Sequence, residues 1–228
     1  MQNESASHAR IAIFDLDHTL LPIDSDYEWG QFLCKIGAVD RGYFELCNKE
    51  YFAQYQAGTL NATEYLEFAL NTLTPFSAKQ LADMHAQFMR EVIRPAITPA
   101  ANQLLALHKN DLLLMITATN RFVTGPIAKA FGFEHLIAAQ PEFSPEGLIT
   151  GKLVGTPTSG TGKVDHLMKW LQQHDKTLNS FERSYFYSDS HNDIPLLDIV
   201  SHPIATNPDE KLTAYAQRHG WPILKLFK

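Results

Sequence analysis

No apolar run in this sequence approaches the ~20 residues that a membrane-spanning helix needs. The stretch from Met1 to Arg10 is polar and lacks the apolar segment of a secretion signal. Cysteine is scarce. Cys34 and Cys47 are the whole complement, too few for a disulfide framework and not spaced as metal ligands. Positive charge is in deficit as well, with 19 Lys and Arg against 25 Asp and Glu and a formal net charge of −6. That balance argues against a nucleic-acid partner, whose phosphates call for clustered cations, and against an anionic membrane surface. Internal repeats and low-complexity tracts are missing too. These absences leave a soluble globular chain, expected in a reducing cytoplasm, and the sequence is silent on its oligomeric state.

What is present fits one large domain, or a core with a smaller insert: 228 residues, 45% of them hydrophobic. The most informative feature is Asp15-Leu16-Asp17 at the end of the apolar run Arg10-Ile-Ala-Ile-Phe14. Such a run reads as a buried strand. Acids at its carboxyl end sit where open α/β sheets bind ligands, and alternation lets both side chains face one crevice. The pair Asp24-Ser25-Asp26 has no strand before it and serves as a control on how little an Asp-x-Asp pair says alone.

Residues 22–96 carry helical spacing and no clear strand, with helix starts at Asn61-Ala-Thr-Glu64 and Ser77-Ala-Lys-Gln80. From Ile97 the texture alternates. A helix capped by Thr98-Pro99 precedes a strand over Leu112–Ile116, a helix over Phe122–Phe131 and a short strand near Ile137–Ala139. Gly147–Gly155 reads as a hairpin or a pair of short strands. Val164–His174 reads as a helix, Ser184–Tyr187 as a strand and Pro195–Val200 as a helix. Pro203–Ala205 is extended, Asn207-Pro208 caps a helix to about Arg218, and Ile223–Phe227 is a final strand. The pattern predicts an α/β fold, a doubly wound and mostly parallel sheet with an inserted helical cap. Residues 1–21 and 97–228 form the expected core, and 22–96 the expected cap.

Four strand-associated stretches carry the chemistry: Phe14-Asp-Leu-Asp-His-Thr-Leu20, Ile116-Thr-Ala-Thr119, Gly160-Thr-Gly-Lys163 and Tyr187-Ser-Asp-Ser-His-Asn-Asp193. Taken singly each is weak, since Thr117 suits a strand, Lys163 a solvated first turn, and Asp189 and Asp193 a helix start. In this order they resemble the haloacid-dehalogenase superfamily of phosphohydrolases, in the branch similar to phosphoserine phosphatase. The resemblance covers about residues 10–228.

It implies a Mg²⁺-dependent phosphatase for a small phosphorylated metabolite, with a Rossmann-like core. Asp15 would attack phosphorus and form an aspartyl-phosphate. Asp17 would protonate the leaving alkoxide and then take a proton from the hydrolytic water. The side chains of Asp15 and Asp189 and the backbone carbonyl of Asp17 would bind Mg²⁺, and Asp193 would hold a metal-bound water or Lys163. Thr117 Oγ and the amides of Ala118 and Thr119 would cradle the phosphoryl oxygens at a helix start. Lys163 would neutralise the transferring group. Asn192 fits either a supporting phosphate or water contact or a turn.

Two positions depart from the phosphoserine-cleaving pattern. Asp24 stands where a Glu is usual, open to binding a cationic group or to capping a helix. Ala69 falls where the resemblance places an arginine, which removes a bidentate carboxylate clamp and speaks against phosphoserine as substrate. Arg121 is open to a second anionic group or to solvent. A phosphotransferase or mutase would use the same intermediate. A receiver-type signalling domain is a weaker alternative, being about half this length and lacking both a cap and a use for Asp17.

Overall fold

The computed structural model describes residues 9–227. Among these residues seven strands form one sheet: β1 Arg10–Phe14, β2 Leu112–Asn120, β3 His135–Phe143, β4 Ile149–Val154, β5 Arg183–Ser188, β6 His202–Thr206 and β7 Ile223–Leu224. Their spatial order is β4-β3-β2-β1-β5-β6-β7. Among the described residues only the β3–β4 pair is antiparallel. Strand β1 takes the centre because Ile11, Ala12, Ile13 and Phe14 are apolar on both faces and fully buried. The chain winds outward from it in both directions, so the ends of β1, β2 and β5 border one crevice.

Between β1 and β2 lie α1 Ser25–Lys35, α2 Arg41–Ala57, α3 Ala62–Asn71, α4 Ala78–Phe88 and α5 Arg94–Ala96, the last two joined by a π-helical turn at Met89–Ile93. Trp29, Phe32, Leu33, Leu70, Leu81 and Phe88 from these helices, with Leu73 of the turn after α3, pack in the same cluster as Phe14 and Met115 of the sheet and Leu16 and Leu20 of the loop after β1. Among the described residues α2 adds nothing to that cluster. The remaining helices are α6 Pro99–Leu107, α7 Arg121–Ala130, α8 Thr161–Gln173, α9 Ile194–Leu197 and α10 Glu210–His219.

Several elements differ from the sequence expectation, each for a local reason. The β-hairpin pairs β3 with β4 instead of lying within Gly147–Gly155. The polar Gln140-Pro-Glu-Phe143 extension of β3 hid the strand, and Ser144 closes the turn by accepting from Gly147 N. Asp209, not Asn207-Pro208, caps α10, accepting from Leu212 N at 2.7 Å. Strand β7 stops at Leu224 because Asn207 Oδ1 takes the amides of Leu226 and Phe227 in place of ladder partners. His191–Asp193 is a 3₁₀ turn, and the helix after it ends at Leu197 rather than Val200.

Candidate active site

The acid-bearing loops begin where β1 and β5 end. Asp15 N donates to Tyr187 O at 3.0 Å, which continues the parallel ladder one step past β1. Asp15 is thereby fixed beside the β5 loop that carries Asp189 and Asp193.

Lys163 reaches the same place from the first turn of α8. Gly160 precedes that helix with φ of 55°, a left-handed conformation that favours glycine. At Gly162 a Cβ would collide with the Pro157 carbonyl, so only glycine lets the turn pack this closely. Buried Lys163 then donates to Asp15 Oδ1 at 2.8 Å and to Asp193 Oδ2 at 2.6 Å. Ser188 Oγ donates to the same Asp193 oxygen at 2.6 Å.

Asp17 is held by two donors. Ser25 N, at the start of α1, donates to Oδ1 at 2.7 Å, and Thr119 Oγ1 donates to Oδ2 at 2.8 Å. Burial, followed by the nearby charge of Asp24, pushes its carboxyl up to about 8. Asp189 is pushed up to about 9 by burial and by Asp15 and Asp193. Asp15 is raised as well, chiefly by burial. Burial works against the charge on Lys163, yet its two carboxylate partners outweigh it and its pKa is raised.

Thr117 is buried, its Oγ1 accepting from Thr119 N at 3.2 Å and its carbonyl from Thr158 Oγ1 at 2.7 Å. Ala118 beside it is exposed. The expected helix start lies further on. Strand β2 runs through Asn120, which caps α7 by accepting from Val123 N at 3.2 Å. Thr117, Ala118 and Thr119 are therefore strand-end groups.

The outlying candidates have other partners. Arg121 is exposed and donates to Leu136 O of β3 at 2.9 Å. Asp24 caps α1, its Oδ1 accepting from Asp26 N and Tyr27 N, both at 3.0 Å, and this cap is the signal that would have found α1. Exposed Asn192 donates to Tyr55 Oη of α2 at 3.2 Å, bridging the acidic loop to the inserted helices.

Three contacts were missed by the sequence reading. Thr19 Oγ1 accepts from Asp189 N at 3.0 Å and donates to Asp189 Oδ1 at 3.1 Å. Ser188 supports Asp193, as described above. Asp209 steadies the loop, its N–H donating to Asp189 O at 2.8 Å while its Oδ2 accepts from His191 N and Nδ1 at 2.9 and 2.7 Å. Thr19 lies inside the first motif, whereas Asp209 carries no sequence signal beyond its place before a helix.

The residues present fit a hard divalent cation. Asp15 and Asp193 share the buried ammonium of Lys163, while burial first, and neighbouring carboxylates after it, raise the pKa of Asp15, Asp17 and Asp189, a build-up of negative charge that a cation would offset. All the donors are oxygens, as Mg²⁺ requires. Among the described residues no three His, Cys, Asp or Glu side chains form a metal-holding group, but the expected set needs only two carboxylates and a main-chain carbonyl.

Residues 12–198 match the haloacid dehalogenase-like hydrolase family. The chain belongs to that family. This haloacid dehalogenase-like hydrolase is 42% identical over 216 residues to a histidinol-phosphatase of Neisseria meningitidis serogroup C (strain 8013), covering 94% of this chain and 97% of the relative. It is 46% identical, with a TM-score of 0.91, to the structure of a protein of unknown function from Bordetella pertussis Tohama I, covering 96% of this chain and 100% of that one. A phosphoserine phosphatase captured as a phospho-aspartyl intermediate analogue shares the fold at TM-score 0.65 and 16% identity, covering 97% of this chain and 95% of that one. The hydrolase is a phosphatase. Among its described residues, no helix is long and apolar enough to cross a membrane.

Proposed function

We propose that this phosphatase hydrolyses a small phosphate monoester that lacks a carboxylate, through an aspartyl-phosphate on Asp15, with Mg²⁺ as cofactor and residues 22–96 acting as a cap. The observation that carries the reading is the pairing of Lys163 with Asp15 and Asp193 at 2.8 and 2.6 Å. It aims a carboxylate into the crevice beside a fixed positive charge.

The side chains of Asp15 and Asp189 and the main-chain carbonyl of Asp17 would hold Mg²⁺. When bound, the ion offsets the repulsion between a carboxylate nucleophile and a phosphate dianion. Asp15 is the nucleophile. Lys163 orients it and balances the equatorial oxygens of the transferring group, with Thr117 Oγ1 and the Ala118 amide beside them. Asp17 gives its proton to the leaving oxygen. Its raised pKa favours the protonated form that this step needs, and once ionised it takes the proton of the hydrolytic water.

Substrate choice falls to the inserted helices. Ala69 lines a small cavity with Asp26, Trp29, Asn48 and Tyr65, and offers no clamp for the carboxylate of phosphoserine. Trp29 Nε1 and Asn48 Nδ2 are buried there without hydrogen-bond partners among the described residues, and the space beside them holds no more than a water. Histidinol phosphate, a cation-bearing ester with no carboxylate, needs no such clamp, and the 42% identity to a histidinol-phosphatase supports it as the substrate.

The test is phosphate release with Mg²⁺ across a panel containing histidinol phosphate, phosphoserine and phosphoethanolamine, with alcohol acceptors added to detect transfer. Histidinol phosphate is expected to rank well above phosphoserine in kcat/KM. If phosphoserine ranks first, the substrate assignment fails.

A further inference from the structure

The two hydrogen bonds to Asp17 come from residues whose chain neighbours are bonded to each other. Ser25, which donates through its amide, is followed by Asp26. Thr119, which donates through its hydroxyl, is followed by Asn120. Asn120 Nδ2 donates to Asp26 Oδ1 at 3.1 Å, joining positions 94 apart in sequence. The result is a closed ring: Asp17, Ser25-Asp26, Asn120-Thr119, and back to Asp17.

Both members of the far pair are anchored. Asp26 Oδ2 accepts from Tyr65 Oη of α3 at 2.7 Å, and Asn120 Oδ1 caps α7. Both are also buried, Asp26 at 7% exposure and Asn120 at 1%. A carboxylate in such a site is expensive unless its bonds matter. Among the described residues, neither shares a hydrogen bond with Lys163 or Asp15.

We infer that Asp26 and Asn120 are positioning residues that clamp the two donors of Asp17 from α1 and β2, and so hold the general acid in line with the leaving oxygen. The inference rests on the proposed role of Asp17 as that acid. A pair one residue removed from each donor fixes the spacing between α1 and the end of β2. Without it the Ser25 amide and the Thr119 hydroxyl are free to drift apart, and Asp17 with them.

Misplacing the acid harms esters in proportion to their need for it. General acid help is worth ~10²–10⁴ in rate for a poor leaving group and far less for an activated aryl group. The experiment measures kcat/KM, which reports the leaving-group step and not the later dephosphorylation, for an alkyl phosphate and for an aryl phosphate such as p-nitrophenyl phosphate in wild type, N120D, D26N/N120D and D17N. N120D sets two carboxylates against each other, while still offering an oxygen to cap α7. The double exchange restores the pair with its polarity reversed, since the amide at 26 donates to the carboxylate at 120 and its oxygen still accepts from Tyr65.

N120D is expected to lose about tenfold or more on the alkyl ester and less than about threefold on the aryl ester, a partial version of the acid's full worth. The double exchange is expected to recover most of the alkyl rate. Should N120D fail to fold, by circular dichroism, N120S takes its place, keeping a cap oxygen but losing the donor to Asp26. Equal losses on both esters in the folded variant, or no recovery in the double exchange, overturn the clamp. If D17N itself shows no preference between the esters, the assignment of Asp17 as acid is wrong, and the clamp's role falls with it.

Discussion

The rings of Phe14 and Tyr187 stack with centroids 4.6 Å apart and planes 5° from parallel. Each ring sits just before an acid of the site, Phe14 beside Asp15 on β1 and Tyr187 two residues before Asp189 on β5. Tyr187 is held in turn from outside the site. Its hydroxyl meets His108 Nε2 at 2.7 Å, His108 Nδ1 meets Asp111 Oδ2 at 2.7 Å, and Arg10 donates to Asp111 Oδ1 at 2.8 Å. The aromatic stack therefore braces, from beneath, the two strand ends that carry the acids.

Tyr187→Phe keeps the stack and strands one nitrogen of His108. It is expected to cost about 1–3 kcal/mol of stability, the penalty for an unmet buried polar group, with kcat within about twofold of wild type. Tyr187→Ala removes the ring and is expected to cost about 3–5 kcal/mol and to lower kcat as well. Urea unfolding and steady-state kinetics on the two variants check this. Equal kcat in both would show that the stack does not brace the acids.

Asp15 and Asp17 are expected to fail differently. Asp15→Asn should abolish turnover and form no covalent phosphate. Asp17→Asn keeps the nucleophile, so with an aryl phosphate the first step should outrun dephosphorylation. Acid quenching followed by mass spectrometry should find a phosphoryl adduct on Asp15. An adduct on any other residue contradicts the mechanism.

Removal of divalent cations with EDTA should stop turnover, and Mg²⁺ should restore it. Because the ion would relieve the crowding of Asp15, Asp17, Asp189 and Asp193, Mg²⁺ should also raise Tm in the absence of substrate. Full turnover after exhaustive chelation would sink the metal's role.

Burial, and after it the charge of Asp24, pushes the Asp26 carboxyl up to about 7. In the unfolded chain it ionises near ~4. Below that pH both states hold the proton. Between about 4 and 7 the unfolded chain releases a proton that the folded one keeps, so stability falls as pH rises and levels off above about 7. Asp26→Asn should remove this contribution. The stability difference between Asp26→Asn and wild type, measured in urea from pH 4 to 8, should grow in favour of the variant across that window. Parallel curves would mean that Asp26 ionises normally.

The strand ends that gather the acids were legible because each follows a short apolar run, as Asp15 follows Ile11–Phe14. Lys163 was legible because glycines precede it at the start of a helix. The ring around Asp17 was not, since Asp26 stands in an Asp-x-Asp pair with no strand before it, Asn120 lies in no motif, and the two meet only when β2 and α1 are folded side by side. Strand β3 was half hidden for a related reason. Its outer residues Gln140–Phe143 are polar or interrupted by proline, and only pairing with β4 makes them a strand. Asn207 misled in the opposite way. It looks like a helix cap, but its side chain instead binds the carbonyls of His18 and Thr19 and the amides of Leu226 and Phe227.

The uneven anchoring of the inserted helices bears on how such an enzyme changes its diet over evolutionary time. Helices α1, α3 and α4 share their apolar residues with the sheet, so most substitutions there disturb folding before they alter choice of substrate. Helix α2 stands outside that cluster and touches the acidic loop through Tyr55 and Asn192, while its Phe44 and Asn48 line the cavity beside Ala69. Under the cap role proposed above, a lineage exploring new phosphate esters has its freest ground at the exposed positions of α2, such as Tyr43, Leu46 and Phe52, where a change of side chain does not first have to be rescued by a stabilising mutation elsewhere.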